Sequence, residues 1–412
     1  MIKKPRGTED LFEKKAKEYF ALEMIFRNIA DLYNYNEIRT PLFEDANLFL
    51  RGVGEQTDIV NKEMYIFSDK KDRQLALRPE GTAPVVRAVL ENKLYINENL
   101  PLKLFYFGSM FRYERPQKGR QREFTTFGVE TLGSKSPESD SEIVCLAVNI
   151  LNSVGIKNYN LYINHLVNGD KRKEYIKELK KQLQNIELCD DCKIRIEKNP
   201  LRVLDCKIDQ NEFDDIIDMK DYLNDEEKTY YRNFKQNLKN LGITFIEDKK
   251  LVRGLDYYTG FVFEIKDKNN LTLIAGGRYD NLVNELGQVD LPASGWGLGV
   301  ERIIVNLKEN EIFLSEEVCL DAYIIGLSEK AKQFCNILLL MLRSANLKVD
   351  FDFMGRSLKS AFKQSEKYNS KNIIIIGNNE LKENVVILKK QNNKTEKKVK
   401  FENIVDEIMR GN

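Results

Sequence analysis

Residues 103–132 read KLFYFGSMFRYERPQKGRQREFTTFGVETL: two strand-like runs, 103–112 and 124–132, on either side of a polar loop. Both runs are rich in aromatic and β-branched residues, and the loop Arg115-Pro116-Gln117-Lys118-Gly119-Arg120-Gln121-Arg122 carries four cations. An antiparallel pair with a long basic tip is predicted. Side chains alternate along a strand, so Arg112 and Glu114 share one face where the first run ends, and Phe124, Thr126, Gly128 and Glu130 share one face of the second. A guanidinium, a carboxylate, an aromatic plane, a hydroxyl and a gap at glycine make a poor core. They make a good floor for a ligand with a phosphate and a flat base. An ion-paired face open to solvent is the competing reading.

Outward from this pair, apolar residues at helical spacing predict a long amphipathic helix over 8–33, followed by a short strand at 37–41. Between 170 and 241 there is no glycine and one proline, in a stretch dense with Lys, Glu and Leu, which marks a helical insertion at about 168–242. Strand and glycine signals return over 251–299, then a helical run over 300–308. Beyond Cys319, apolar strands at 322–325, 349–353, 373–376 and 385–388 alternate with helices near 330–345 and 358–368. That alternation predicts a compact α/β domain over 321–412, behind a larger domain over 1–320.

The 412 residues, 42% hydrophobic and 31% charged, fit a globular chain of two or three domains. The longest apolar run, 337–342, is far short of a bilayer span of roughly 20 residues, and no apolar stretch follows the basic start of the chain. A cytoplasmic protein that does not enter membranes is expected, and its six cysteines read as reduced thiols. A single histidine, His165, excludes any metal site built on two histidines and leaves an imidazole-assisted nucleophile only that residue. Chemistry must therefore run on Arg, Lys, Glu, Asp, Tyr and backbone groups. Residues 321–412 hold 17 Lys and Arg against 11 Asp and Glu, and residues 1–320 hold 48 against 53. A basic module on an acidic body suits a polyanionic partner, although a solvated lysine-rich surface has the same composition.

Gly295, Gly297 and Gly299 recur at every second position, as where a flat ring must approach one face of a strand, or where a strand and helix pack tightly. Arg302 then falls in the first turn of the next helix, placed to stack on a ring or pair a phosphate. Two further clusters, Arg253-Gly254-Leu255-Asp256-Tyr257-Tyr258 and Gly276-Gly277-Arg278-Tyr279-Asp280, set donors and phenols beside glycines. Residues 77–82, LRPEGT, put a carboxylate and a hydroxyl on a turn suited to an ammonium group. The pair Cys189 and Cys192 invites a zinc reading, but a structural zinc usually takes four ligands and only Cys206 is near in sequence. These cysteines read as structural thiols, no metal site is assigned, and His165, among apolar neighbours, reads as packed.

Taken together the clusters resemble the class II aminoacyl-tRNA synthetases, and within them the histidyl-tRNA synthetase family. Thr40-Pro41-Leu42 is similar to motif 1, residues 111–114 with 128–130 to motif 2, and residues 297–302, GLGVER, to motif 3. RGLDYY at 253–258 and AGGRYD at 275–280 resemble the two histidine-specific signatures; NPLRVLDCK at 199–207 and GRSLK at 355–359 extend the likeness over the chain.

The resemblance implies an α+β catalytic domain with a mixed, mainly antiparallel sheet, and a C-terminal α/β domain that binds the anticodon. It implies a homodimer formed through motif 1 around Pro41, and activation of histidine by ATP with Mg²⁺ before transfer to tRNA-His. Arg253 and Arg112 would be catalytic. Arg112, Glu114, Arg120, Phe124 and Arg302 would bind ATP; Glu80, Gly81, Thr82, Thr126, Glu130, Tyr257, Tyr258 and Tyr279 would bind histidine. Arg115, Gln117, Lys118 and Arg122 would meet the tRNA acceptor end. The alternative within the same fold is a regulatory subunit of ATP phosphoribosyltransferase, which does not aminoacylate. Three positions depart from the family pattern: Tyr113 and Thr125, usually histidine, and Thr126, usually a glutamine that contacts the amino acid.

Overall fold

A computed structural model describes every residue except 55, 56, 58, 98, 315–318, 392–394 and 411–412. It divides into two compact units, Met1–Ser315 and Glu316–Asn412.

The first unit is built on an eight-stranded sheet. Its main strands are β1 (Leu102–Phe111), β2 (Glu123–Leu132), β3 (Tyr159–Leu166), β4 (Gly260–Asp267), β5 (Thr272–Arg278) and β6 (Ala293–Gly299). The spatial order is Asn36–Glu37, β1, β2, β6, β5, β4, β3, Ile246–Glu247. Only the two short edge strands pair in parallel; all other pairings are antiparallel. Around the sheet lie α1 (Glu13–Leu32), α2 (Thr82–Glu91), α3 (Pro137–Ser153), α4 (Gly169–Leu183), α5 (Asp190–Lys198), α6 (Asp225–Asn240) and α7 (Val300–Glu309).

Strand alternation separates two cores. Phe127, Val129, Trp296 and Leu298 point to the face covered by α1, α3, α6 and α7, where Phe26, Ile143, Phe234 and Ile303 close over them. Their neighbours Thr126, Gly128, Glu130, Gly295 and Gly297 face the other way, which leaves polar and small residues to form a floor. The first part of the insertion packs on that side, through Tyr175, Leu179, Cys192, Ile196 and Phe213, whereas its last helix, α6, belongs to the opposite face.

Two predicted elements are shorter than their patterns. The first helix begins at Glu13, not near residue 8, because Gly7 turns the chain at φ +84° and its carbonyl accepts the N–H groups of Arg122 and Glu123 at 2.7 and 3.2 Å. The strand expected over 37–41 is confined to Asn36–Glu37. Beyond Ile38 the chain is drawn away by the buried Arg78, whose Nη1 donates to the carbonyl and hydroxyl of Thr40 at 2.9 Å while its Nε donates to the Ser109 carbonyl.

In the second unit, β7 (Ala322–Gly326), β8 (Val349–Phe351), β9 (Asn372–Ile376), β10 (Val385–Lys390) and β11 (Glu396–Lys400) form one sheet in the order β8-β7-β9-β10-β11. The first three are parallel and the last two antiparallel. Strand β11 has no counterpart in the sequence reading. Its run EKKVK buries only Val399, and charged edge strands carry little apolar signal.

Candidate active site

One cleft of about 400 Å³ opens over the sheet floor. Arg112, Glu114, Phe124 and Thr126 from the β1–β2 hairpin line it, as do Gly297, Gly299 and Arg302 from the β6–α7 turn. Glu80, Gly81 and Thr82 enter from the start of α2, and Arg253, Tyr257 and Tyr258 from the segment before β4. Residues about 220 positions apart in sequence thus meet in one wall.

One end of the cleft is cationic. Arg112 lies over the Phe124 ring at 5.4 Å and donates through Nε to the Pro79 carbonyl at 2.8 Å. Glu114 is the shared counter-charge, 3.8 Å from Arg112 and 3.5 Å from Arg120. Burial, then Arg120 and Arg112, push the Arg302 guanidinium down to about 10. Guanidiniums that oppose one another's charge across a half-compensated cleft suit a polyphosphate, which would relieve the repulsion. The Gly119 backbone comes down over Arg302, so the hairpin tip closes this end.

The other end is a buried carboxylate and phenol cluster. Glu130 is wholly buried, accepts from Thr82 Oγ1 at 2.8 Å and from the Tyr279 hydroxyl, and lies behind the cleft wall with Tyr279. Burial pushes its carboxyl up to about 8; Glu80 adds to the rise, and the two hydroxyl donors oppose it. Glu80 is also buried, and its two oxygens accept the backbone N–H groups of Thr82 and Ala83 at 2.7 and 2.8 Å. It therefore caps α2 as well as facing the cleft. The phenols of Tyr257 and Tyr279 are pushed far above their ordinary range by burial and stay neutral donors.

Arg253 bridges the two ends. It is ion-paired to Glu264, sits over the Tyr258 ring at 5.8 Å, and keeps a buried Nε with no partner among the described residues. Burial opposes its charge, but Glu264, Tyr258 and Asp205 outweigh that, and the guanidinium stays firmly cationic.

Two expectations about glycines need correction. A Cβ at Gly128 would fall 2.3 Å from the Tyr106 ring, so that gap is filled by protein and not left for a ligand. A Cβ at Gly295 would lie 1.9 Å from a Glu130 oxygen, so this glycine makes room for the buried carboxylate. Gly297 and Gly299, with Thr126 3.5 Å and Arg302 3.6 Å from such a Cβ, leave open floor.

Tyr106, Glu264, Lys266, Asp205 and Lys207 also line the cleft and were not foreseen as site residues. Glu264 and Lys266 had a readable signal. In residues 261–267, FVFEIKD, charge alternates with buried apolar residues, which places both on the face opposite Phe261, Phe263 and Ile265. Arg115, Gln117 and Lys118 are exposed on the hairpin loop, outside the cleft, and Lys118 pairs with Glu309. Arg122 is half-buried, its guanidinium 3.8 Å from the centre of the exposed Tyr113 ring. His165 is buried against Tyr230 and Tyr231, away from the cleft, and burial lowers its imidazole to about 4.

The family model described as histidyl-tRNA synthetase matches residues 7–168 and 213–303, more than half of the chain. The chain belongs to the histidyl-tRNA synthetase family. A model described as an anticodon binding domain matches residues 321–410. The histidine–tRNA ligase of Mycoplasma mycoides is 49% identical over 99% of this chain and 100% of its own length, and that of a Geobacillus species 43% over 98% and 97%. The crystal structure of the apo histidyl-tRNA synthetase of S. aureus superimposes with a TM-score of 0.84 at 36% identity, covering 99% of this chain and all of that one. The mixed-sheet unit and the separate C-terminal sheet are thus the architecture of this synthetase family. Its family match leaves out residues 169–212, a segment that reaches the cleft through Asp205 and Lys207.

Proposed function

We propose that this chain is a histidine–tRNA ligase, which activates histidine with ATP and transfers it to tRNA-His. The observation that carries the reading is one cleft with a phosphate-suited end, Arg112, Arg120 and Arg302, and a buried polar end around Glu130, with Arg253 between them.

In this reading the adenine ring enters between Phe124 and Arg302, with Glu114 at its edge, and ATP brings Mg²⁺ with it. Glu264 and Glu301 are among the hard oxygen donors this wall would offer such an ion. The carboxylate of histidine attacks the α-phosphorus; a carboxyl–phosphate bond forms, the α–β bridging bond breaks, and its electron pair leaves with pyrophosphate. Arg112 and Arg253 meet the charge on the α-phosphate, and Arg120 that on the leaving group. The terminal ribose hydroxyl of the tRNA then takes the histidyl group and AMP departs.

Glu130, Tyr257, Tyr258 and Tyr279 select the imidazole, while Glu80, Thr82 and Thr126 border the amino group. An analogue without ring nitrogens would leave buried polar groups unpaired, which supports selection without a separate editing step. The exposed loop residues Arg115, Gln117 and Lys118, together with Arg122, face the acceptor end of the tRNA, and the unit from 321 onward reads the anticodon. Exposed Phe43, Ile66 and Phe67 on the small sheet Phe43–Asp45, Gln74–Leu77, Tyr65–Ser68, with exposed Leu42 following Pro41 in the chain, support a homodimer through that face. Pyrophosphate exchange with each of the 20 amino acids in turn tests the proposal. Exchange with histidine alone is expected; exchange with none would favour the non-aminoacylating regulatory subunit.

A further inference from the structure

In the insertion, outside the cleft, three thiols and a carboxylate converge. Ligand atoms of Cys189, Cys192, Cys206 and Asp209 all lie within 4.8 Å of one another. Cys192, Cys206 and Asp209 are buried and Cys189 is half-buried. The sequence supplies three of these donors; the fold adds the fourth, because the chain after Cys206 turns back so that the Asp209 carboxylate accepts the Cys189 N–H at 3.2 Å.

The spacing decides between a disulfide and a metal. Four ligands at about 2.3 Å around a tetrahedral ion stand about 3.8 Å apart. The Cys189 and Cys206 sulfurs are 3.8 Å apart, whereas a disulfide needs about 2.05 Å. Cys189 is the N-cap of α5 and Cys192 sits in its first turn, so one helix start presents two of the donors on the same side. Three soft thiolates with one carboxylate, closed to further ligands by burial, match a structural zinc better than a hard ion or an open catalytic metal.

We propose that Cys189, Cys192, Cys206 and Asp209 bind one structural zinc ion. Binding forms three sulfur–zinc bonds and one oxygen–zinc bond and releases up to three thiol protons to solvent, with no redox change. The ion ties the start of α5 to the loop after Cys206. Between these anchors the chain sends Asn199 to Asp256 at 2.8 Å, Arg202 to the Gly254 carbonyl, and Asp205 and Lys207 to the cleft wall. Zinc therefore positions the segment behind Arg253 without touching substrate.

The test uses the full-length chain, purified anaerobically with a phosphine reductant, incubated with zinc chloride and desalted, with metal counted by mass spectrometry. About one zinc per chain is expected. The double substitution Cys192→Ser with Cys206→Ser should lower this more than tenfold, and Cys319→Ser, in the other unit, should leave it unchanged. Cobalt(II) in place of zinc should give the visible bands of a tetrahedral centre with sulfur-to-cobalt charge transfer in the near ultraviolet, and Asp209→Asn should shift those bands. The wild-type readings hold even if the double variant fails to fold. A folded wild-type chain that retains neither zinc nor cobalt, or whose zinc survives loss of both cysteines, would overturn the proposal.

Discussion

Removing the Arg253 side chain should strike the activation step and spare ATP binding. Arg253 is ion-paired to Glu264, so a ground-state phosphate gains its guanidinium only by competing with that carboxylate. The advantage appears when negative charge builds on the α-phosphate. A unit charge about 4 Å away at an effective dielectric near 20 is worth about 4 kcal/mol. Losing one preorganised donor ordinarily costs about 10²- to 10³-fold in rate, the same scale. The fold should tolerate the loss: Glu264 keeps Lys266 at 3.0 Å and the Thr272 hydroxyl at 3.4 Å, so the protein escapes most of the roughly 3–5 kcal/mol that follows when a buried charge is orphaned. Arg253→Ala should therefore slow single-turnover formation of histidyl-adenylate by about 10²-fold or more, with less than tenfold change in ATP affinity. Arg253→Lys, which keeps the charge but not the fork, should fall between. Rapid-quench measurement with saturating histidine separates the two effects. An unchanged activation rate, or a loss confined to ATP binding, would refute the reasoning.

Glu130 carries a cost that depends on pH. Its carboxyl rises from an ordinary 4.5 to about 8, so stability is lost as pH climbs from 4.5 towards 8, by on the order of 5 kcal/mol at most. Glu130→Gln should flatten that fall, read by urea unfolding with Trp296 fluorescence at about pH 5 and about pH 8; an undiminished slope would place the lost protons elsewhere. Thr126→Gln should tighten histidine binding, by up to about tenfold for one hydrogen bond to a charged group, or leave it neutral, because Thr126 faces Gly299 across the ladder and the open Gly297 lies beside it. Calorimetry that found histidine affinity collapsed in that variant would show the pocket is built around the threonine. Deleting residues 316–412 should spare most histidine-dependent pyrophosphate exchange and lower tRNA charging by roughly 10²-fold or more, as expected when a polyanion-binding unit is removed; normal charging by the folded truncation would sink the anticodon assignment.

The sheet floor was legible because strand periodicity is a local property. Once residues 103–112 and 124–132 pair, Phe124, Thr126 and Glu130 must share a face, and the register Phe111↔Glu123 through Leu102↔Leu132 follows. The long helices were legible for the same reason, since burial every third or fourth residue needs no partner to be named. Edges were not: Gly7 delays the start of α1 and Arg78 cuts short the strand Asn36–Glu37 through hydrogen bonds to residues about 30 or more positions away, and no window of sequence contains both partners.

What the glycines mean shows where local reading runs out. Gly128 and Gly295 have the same pattern as Gly297, yet the first yields to Tyr106, the second to Glu130, and only the third opens to the cleft. A small residue signals that something approaches; which atom approaches is settled by the neighbouring strand. The same logic applies to charge. Glu264 and Asp209 look alike in sequence as acidic residues among Lys and Ile. One is held against Arg253 by β4, the other against three sulfurs by a loop, and each acquires its chemistry from partners its own segment does not supply. Residue types restrict which reactions are available, and topology then assigns each of them a place.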